Sequence, residues 1–80
     1  MDETTFFTAV ADVLDVPPGS LSFVTAYASI PQWDSVQHIR LVMELSARFN
    51  VEIPLEKIPD LTTLGAFFTW MAERSNGSGA

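Results

Sequence analysis

The chain has no cysteine, one histidine and only four basic residues, and each shortage closes off a class of protein. Without cysteine no disulfide can staple the fold, and thiol chemistry or thiolate metal ligation must come from outside the chain. A single histidine with no clustered carboxylates leaves no metal site. Four Lys and Arg against ten Asp and Glu give a formal charge of -6, which repels a phosphate backbone, so nucleic acid is not an expected partner. No apolar run approaches the roughly 20 residues of a membrane span, and Met1-Asp2-Glu3 lacks the positive start of a secretory signal. These features predict a soluble, cytoplasmic protein without membrane contact, and the expected state is a monomer.

What is present is an apolar fraction of 48%, with six Phe and two Trp in 80 residues. That suffices for one packed core and argues against disorder. A chain this short buries only about 60–65% of its unfolded surface, so no large catalytic cleft is expected.

Phe6, Val10, Val13 and Leu14 recur at helical spacing and predict a first helix from Thr4 to about Asp15, capped by Asp2, Thr4 or Thr5. Pro17-Pro18-Gly19 cannot continue it. Residues Pro17 to Asp34 have no sustained period and are long for a connection, so they must be anchored, with Leu21, Phe23, Val24, Tyr27, Ile30 and Trp33 as the anchors and room for a helical turn near Ser22 to Tyr27. A second helix spans about Ser35 to Phe49, capped by Asp34 and closed by Asn50. Its apolar stripe is Val36, Ile39, Val42, Met43, Leu45 and Phe49, with Gln37, Arg40, Glu44 and Arg48 towards water. Pro54 and Pro59 allow one or two turns between them. Leu64, Phe67, Phe68 and Met71 then repeat at i, i+3, i+4 and i+7 in a last helix capped by Asp60, Thr62 or Thr63, and residues 75–80 read as a flexible tail.

The expected fold is therefore all-α: a small four-helix bundle of three long helices and one short one, with a long anchored loop between the first two. It forms a single domain over residues 1–74, closed around Phe6, Val10, Leu14, Ile39, Val42, Leu45, Phe49, Leu64, Phe67 and Phe68. Ser35 stands where the anchored loop becomes the second helix. A hydroxyl held at an exposed helix start is open to modification by another protein, although an Asp-Ser pair in this place is often only a cap.

The run Asp34-Ser35-Val36-Gln37-His38-Ile39-Arg40-Leu41-Val42-Met43-Glu44-Leu45, followed by Phe49-Asn50-Val51-Glu52-Ile53-Pro54 and later Thr63-Leu64-Gly65-Ala66, resembles the acyl carrier protein family with its peptidyl carrier relatives. The resemblance covers nearly all of residues 4 to 74. It implies that Ser35 receives a phosphopantetheine arm from coenzyme A through a magnesium-dependent phosphopantetheinyl transferase, with Asp34 recognised by that enzyme. The arm's thiol would hold an acyl or aminoacyl group as a thioester, which fits a chain without cysteine. The implied partners are the transferase, an acyl- or aminoacyl-loading enzyme and a downstream synthase or transferase. The implied contacts are Trp33, Val36, Arg40 and Met43, and the carrier has no catalysis of its own.

Trp33 stands where many members have Gly, and Trp-Asp-Ser with His38 resembles a subset of free-standing bacterial carriers. Arg40 and Arg48 against Glu44 leave the second helix one positive charge in excess, and Arg40, Ser46 and Ala47 replace expected acidic positions. These departures point away from primary fatty-acid synthesis and towards a polyketide, nonribosomal-peptide or hybrid pathway, while the Met1 start and short tail suggest an independent protein. A competing reading is an unmodified helical interaction module in which Asp34-Ser35 only caps a helix. Asp34, Ser35 and His38 share one turn, but a hydrolytic triad also needs an oriented base, an oxyanion hole and a pocket. His38 is read instead as a surface or partner-facing residue. Trp33 is read as a loop anchor with its indole N–H near a partner, or as an exposed contact.

Overall fold

Helix α1 (Glu3–Leu14) opens on Asp2, whose carboxylate accepts the Thr5 amide at 2.7 Å. It closes at Asp15, which turns left-handed (φ 58°) and returns its own amide to the Ala11 carbonyl. The computed structural model describes the backbone of residues 2–79 and side chains as far as Arg74. A 3-10 turn, Pro18–Ser20, begins on the second of the two prolines. Helix α2 (Ser35–Phe49) lies between Asp34 at its start and left-handed Asn50 (φ 54°) at its end, two residues whose short polar side chains suit those positions. A 3-10 helix, Leu55–Asp60, accommodates Pro59, and α3 runs Leu64–Gly79, with Thr63 Oγ1 accepting the Ala66 amide at its start. The four-helix arrangement expected from the sequence is thus present, and no strand occurs among the described residues.

One detail of the long loop differs from expectation. The helical turn near Ser22 to Tyr27 is absent, and the turn at Pro18–Ser20 takes its place, because Pro at a first helical position is preorganised for it. Beyond Arg74 the backbone of α3 continues helical to Gly79. No proline interrupts it, and each residue added to an existing helix gains a hydrogen bond. Ala80 lies outside the described residues.

Phe6, Val10 and Leu14 of α1, Val42 and Leu45 of α2, and Leu64 and Phe67 of α3 are buried as expected. Phe49 and Phe68 are only partly so. Ile39 is not core: it is 47% exposed, and the buried row of α2 is His38, Leu41, Val42 and Leu45. One residue is about 100° of helix, so taking Ile39 in place of His38 turns the buried face to the helix flank. Trp33, Val51, Ile53 and Leu61 also join the core, from segments without a period to announce them.

The long loop is held by rings and by backbone. Phe23 packs against Phe7 and Phe68 with centroids 5.0 and 5.2 Å apart, and Phe6 meets the same two rings, edge and tilted geometries that aromatic quadrupoles favour. Val24 anchors nothing and is 84% exposed. It tips a turn closed by Thr25 N donating to the Ser22 carbonyl. Three further bonds stitch the loop to the start of α3: Tyr27 N to Thr62 O (2.8 Å), Leu64 N to Thr25 O (3.0 Å) and Gly65 N to Phe23 O (2.9 Å). A β-carbon at Gly65 would stand 3.0 Å from that same Phe23 oxygen, so glycine here permits the close approach.

Candidate functional site

Ser35 is the first residue of α2 and is exposed. The chain approaching it is fixed from both sides. Trp33 N donates to the Ile30 carbonyl at 3.1 Å, Ala28 N donates to the Trp33 carbonyl at 3.0 Å, and the Trp33 ring has no exposed surface. Asp34 is extended (φ -103°, ψ -173°), and its Oδ1 accepts the Gln37 amide at 2.9 Å. Its carbonyl takes the His38 amide at 2.8 Å. The amides of Ser35 and Val36 meet no protein acceptor among the described residues. At the positive end of a 15-residue helix those donors favour an anion.

Two concavities border the serine. One lies along the exposed face of α2 with Val36, Ile39, Arg40, Met43 and Glu44, about 560 Å³ in volume. The other, about 440 Å³ and more enclosed, lies between α2 and the 3-10 helix and is lined by Tyr27, His38, Ile39, Ile58, Pro59 and Thr62. Val36 and Met43 are 71% and 65% exposed, an apolar row that no other element covers. Arg40 enters no ion pair among the described residues. Arg48 is held at 2.6 Å by Asp12 and at 3.5 Å by Glu44, which together raise its pKa, chiefly through the Asp12 hydrogen bond.

The structure thus gathers Asp34, Ser35, Val36, Arg40 and Met43 at one end and one exposed face of α2. It does not bring Trp33 with them. That ring is wholly buried against Phe67 and His38, so it offers no contact surface and serves only as the loop's anchor. His38 is likewise not a surface residue. It is 8% exposed, its Nδ1 faces Trp33 Nε1 at 3.0 Å and its Nε2 faces the Ile58 carbonyl at 2.9 Å. With both nitrogens engaged, and the Asp34 carboxylate capping the helix, no imidazole base is presented to Ser35 as a triad requires. Tyr27, Ile58, Pro59 and Thr62 enter the site without having been picked out as site residues in the sequence, where Tyr27 is an anchor and Thr62 a candidate cap, since only tertiary folding brings the 3-10 helix beside Ser35. The Pro54 and Pro59 bracket was the one local signal.

A 4′-phosphopantetheinyl ester fits this corner. Ser35 is exposed, the amides beside it are unpartnered, and two apolar-walled concavities border it, one of them also lined by Arg40. Comparison with known families gives the same chemistry: the family described as phosphopantetheine attachment site matches residues 5–71. The chain belongs to this family, of acyl-carrier-protein type. Its members bind the phosphopantetheine prosthetic group covalently and act as carrier domains rather than as catalysts. No helix among the described residues is long and apolar enough to cross a membrane.

Proposed function

We propose that Ser35 is the attachment residue, and that the protein shuttles an acyl or aminoacyl group between enzymes of a specialised polyketide, nonribosomal-peptide or hybrid pathway. The observation that carries the assignment is the exposed Ser35 hydroxyl on the first turn of α2, with its backbone flanks fixed by Trp33 and Asp34. Modification joins Ser35 Oγ to the pantetheine-side phosphorus of coenzyme A and breaks the pyrophosphate bridge. The adenosine bisphosphate half leaves, and the hydroxyl proton passes to a base that the transferase provides. Once attached, the arm supplies a thiol, the group this cysteine-free chain lacks, to hold cargo as a thioester.

Within this reading Asp34 serves transferase recognition, and Val36, Arg40 and Met43 are the first contacts for the partner enzymes, which are the phosphopantetheinyl transferase, the loading enzyme and the downstream synthase or transferase. Support for a specialised pathway comes from α2 itself, where Arg40 rather than a carboxylate stands free on the docking face. The carrier acts as a monomer through residues 1–74, in the cytoplasm where coenzyme A is at hand.

Incubation with coenzyme A and a broad-specificity phosphopantetheinyl transferase tests the assignment by intact mass. The chain gains one arm, and Ser35→Ala gains none. An unmodified wild-type chain would instead leave a helical interaction module whose Asp34-Ser35 pair only caps α2.

A further inference from the structure

His38 is a buried titratable side chain that the attachment chemistry leaves unused. The indole Nε1 of Trp33 can only donate and lies 3.0 Å from Nδ1, while the Ile58 carbonyl can only accept and lies 2.9 Å from Nε2. Those two partners select the neutral imidazole with its proton on Nε2. The ring is wedged among Tyr27, Trp33 and Phe67, with centroids 5.1, 5.8 and 5.7 Å away. An aliphatic side chain would fill this space with no polar atom to satisfy. What the imidazole adds is a pair of directed bonds.

Those bonds join the pieces that frame Ser35. Trp33 immediately precedes Asp34, and the His38 amide closes the first turn of α2 on the Asp34 carbonyl at 2.8 Å. Ile58 belongs to the 3-10 helix across the more enclosed concavity, which Ser35, His38 and Ile58 all line. The Ile58 carbonyl also takes the Leu61 amide at 3.2 Å, so the far end of the strut is itself tied down.

We propose that His38 is a positioning residue for the modification of Ser35. As the Nε2–H tautomer it braces the start of α2 against Ile58, and so sets how the Ser35 hydroxyl and the concavity beside it are presented to the transferase. The inference rests on Ser35 being the attachment residue. The docking row Val36, Arg40 and Met43 lies on a different face of α2 and does not touch the strut, so losing the strut leaves docking intact and degrades the alignment of the attacking oxygen.

The experiment is steady-state kinetics with coenzyme A and a broad-specificity transferase on the wild type, His38→Ala and His38→Gln, each verified as folded by circular dichroism at the assay temperature. For His38→Ala, kcat falls about tenfold to a hundredfold, as expected for displacement of a reacting group by a fraction of an ångström to an ångström, while KM is unchanged. His38→Gln, whose amide reaches the Ile58 carbonyl, recovers most of kcat. A nitrogen–proton correlation spectrum of the unmodified wild type shows the imidazole proton on Nε2, and the Trp33 indole proton exchanges more slowly than that of Trp70. If His38→Ala does not fold, His38→Asn replaces it, since it keeps an acceptor near Trp33 but cannot reach Ile58. Wild-type kcat in folded His38→Ala, equal kcat for the Asn and Gln variants, or a proton on Nδ1 overturns the proposal and leaves Ser35 as the attachment site. Failure of the wild type to take up the arm, or uptake by Ser35→Ala, removes the attachment reading itself and this inference with it.

Discussion

Oδ1 of Asp34 accepts the Gln37 amide at 2.9 Å, so the carboxylate next to Ser35 is part of α2 before it meets any enzyme. Capping and recognition can be separated by substitution. Asp34→Ala should lower stability by about 0.5–2 kcal/mol, whereas Asp34→Asn, an equally good cap, should change it by a few tenths. If the carboxylate is what the transferase recognises, both variants lose modification rate although only one loses stability. Urea denaturation alongside the mass-gain assay reads the two effects, and full modification of Asp34→Asn would remove the recognition role.

Val36 and Met43 cost nothing to shorten within the fold, because solvent already surrounds most of each side chain. Val36→Ala and Met43→Ala should each leave stability within about 0.5 kcal/mol. As buried contacts of a partner they should raise the KM of the transferase about fivefold or more. Unchanged KM in both variants would place the docking face elsewhere on the protein.

Arg48 bridges α2 to α1 through Asp12 at 2.6 Å, with Glu44 also in reach. The guanidinium and the Asp12 carboxylate are both well exposed, and water and salt screen such a pair. Arg48→Ala should therefore cost less than about 1 kcal/mol, and that loss should shrink in high salt. A salt-independent loss of several kcal/mol in chemical denaturation would mean that the arginine stem, rather than its charge, holds the helices together.

Asp2 titrates below the ordinary carboxylate range, chiefly because its charged form accepts the Thr5 amide and then the Thr5 hydroxyl. A depressed folded pKa contributes stability that is complete above the unfolded value, about 3.9, and is lost as pH falls through the lower folded value. Asp2→Asn keeps a capping oxygen without a titrating proton. Below about pH 4 the melting temperature of the wild type should consequently fall more steeply than that of Asp2→Asn. Parallel melting curves across that window would show that the cap does not couple to acid unfolding.

Helix ends were legible in the sequence because they are decided within a few residues. Asp2, Asp34 and Asn50 act where they stand, and Pro17-Pro18 bars continuation whatever surrounds it. The face of α2 was not legible in the same way. An apolar pattern favours Ile39 over His38 for the interior, yet the imidazole is buried because Trp33 and, twenty residues on, Ile58 satisfy its nitrogens. Nothing local signals that pairing. Trp33 went astray as a partner contact for the same reason, since its indole finds its acceptor inside the fold. Ser35 was readable because exposure at a helix start follows from the cap. Val36 and Met43 fall in the apolar stripe by periodicity, and only the family resemblance marked them as contacts, while Tyr27, Ile58 and Thr62 depend on how the loop and the 3-10 helix come together.

The stitching of Phe23, Thr25 and Tyr27 to Thr62, Leu64 and Gly65 ties segments some forty positions apart in the chain. Neither side can complete its bonding until the other has arrived, so this seam is expected to close late in folding and to open as one event. The amides of Tyr27, Leu64 and Gly65 should then share a single opening rate in deuterium exchange. Any enzyme that pried the loop away to reach the more enclosed concavity would loosen the first turn of α3 in the same stroke.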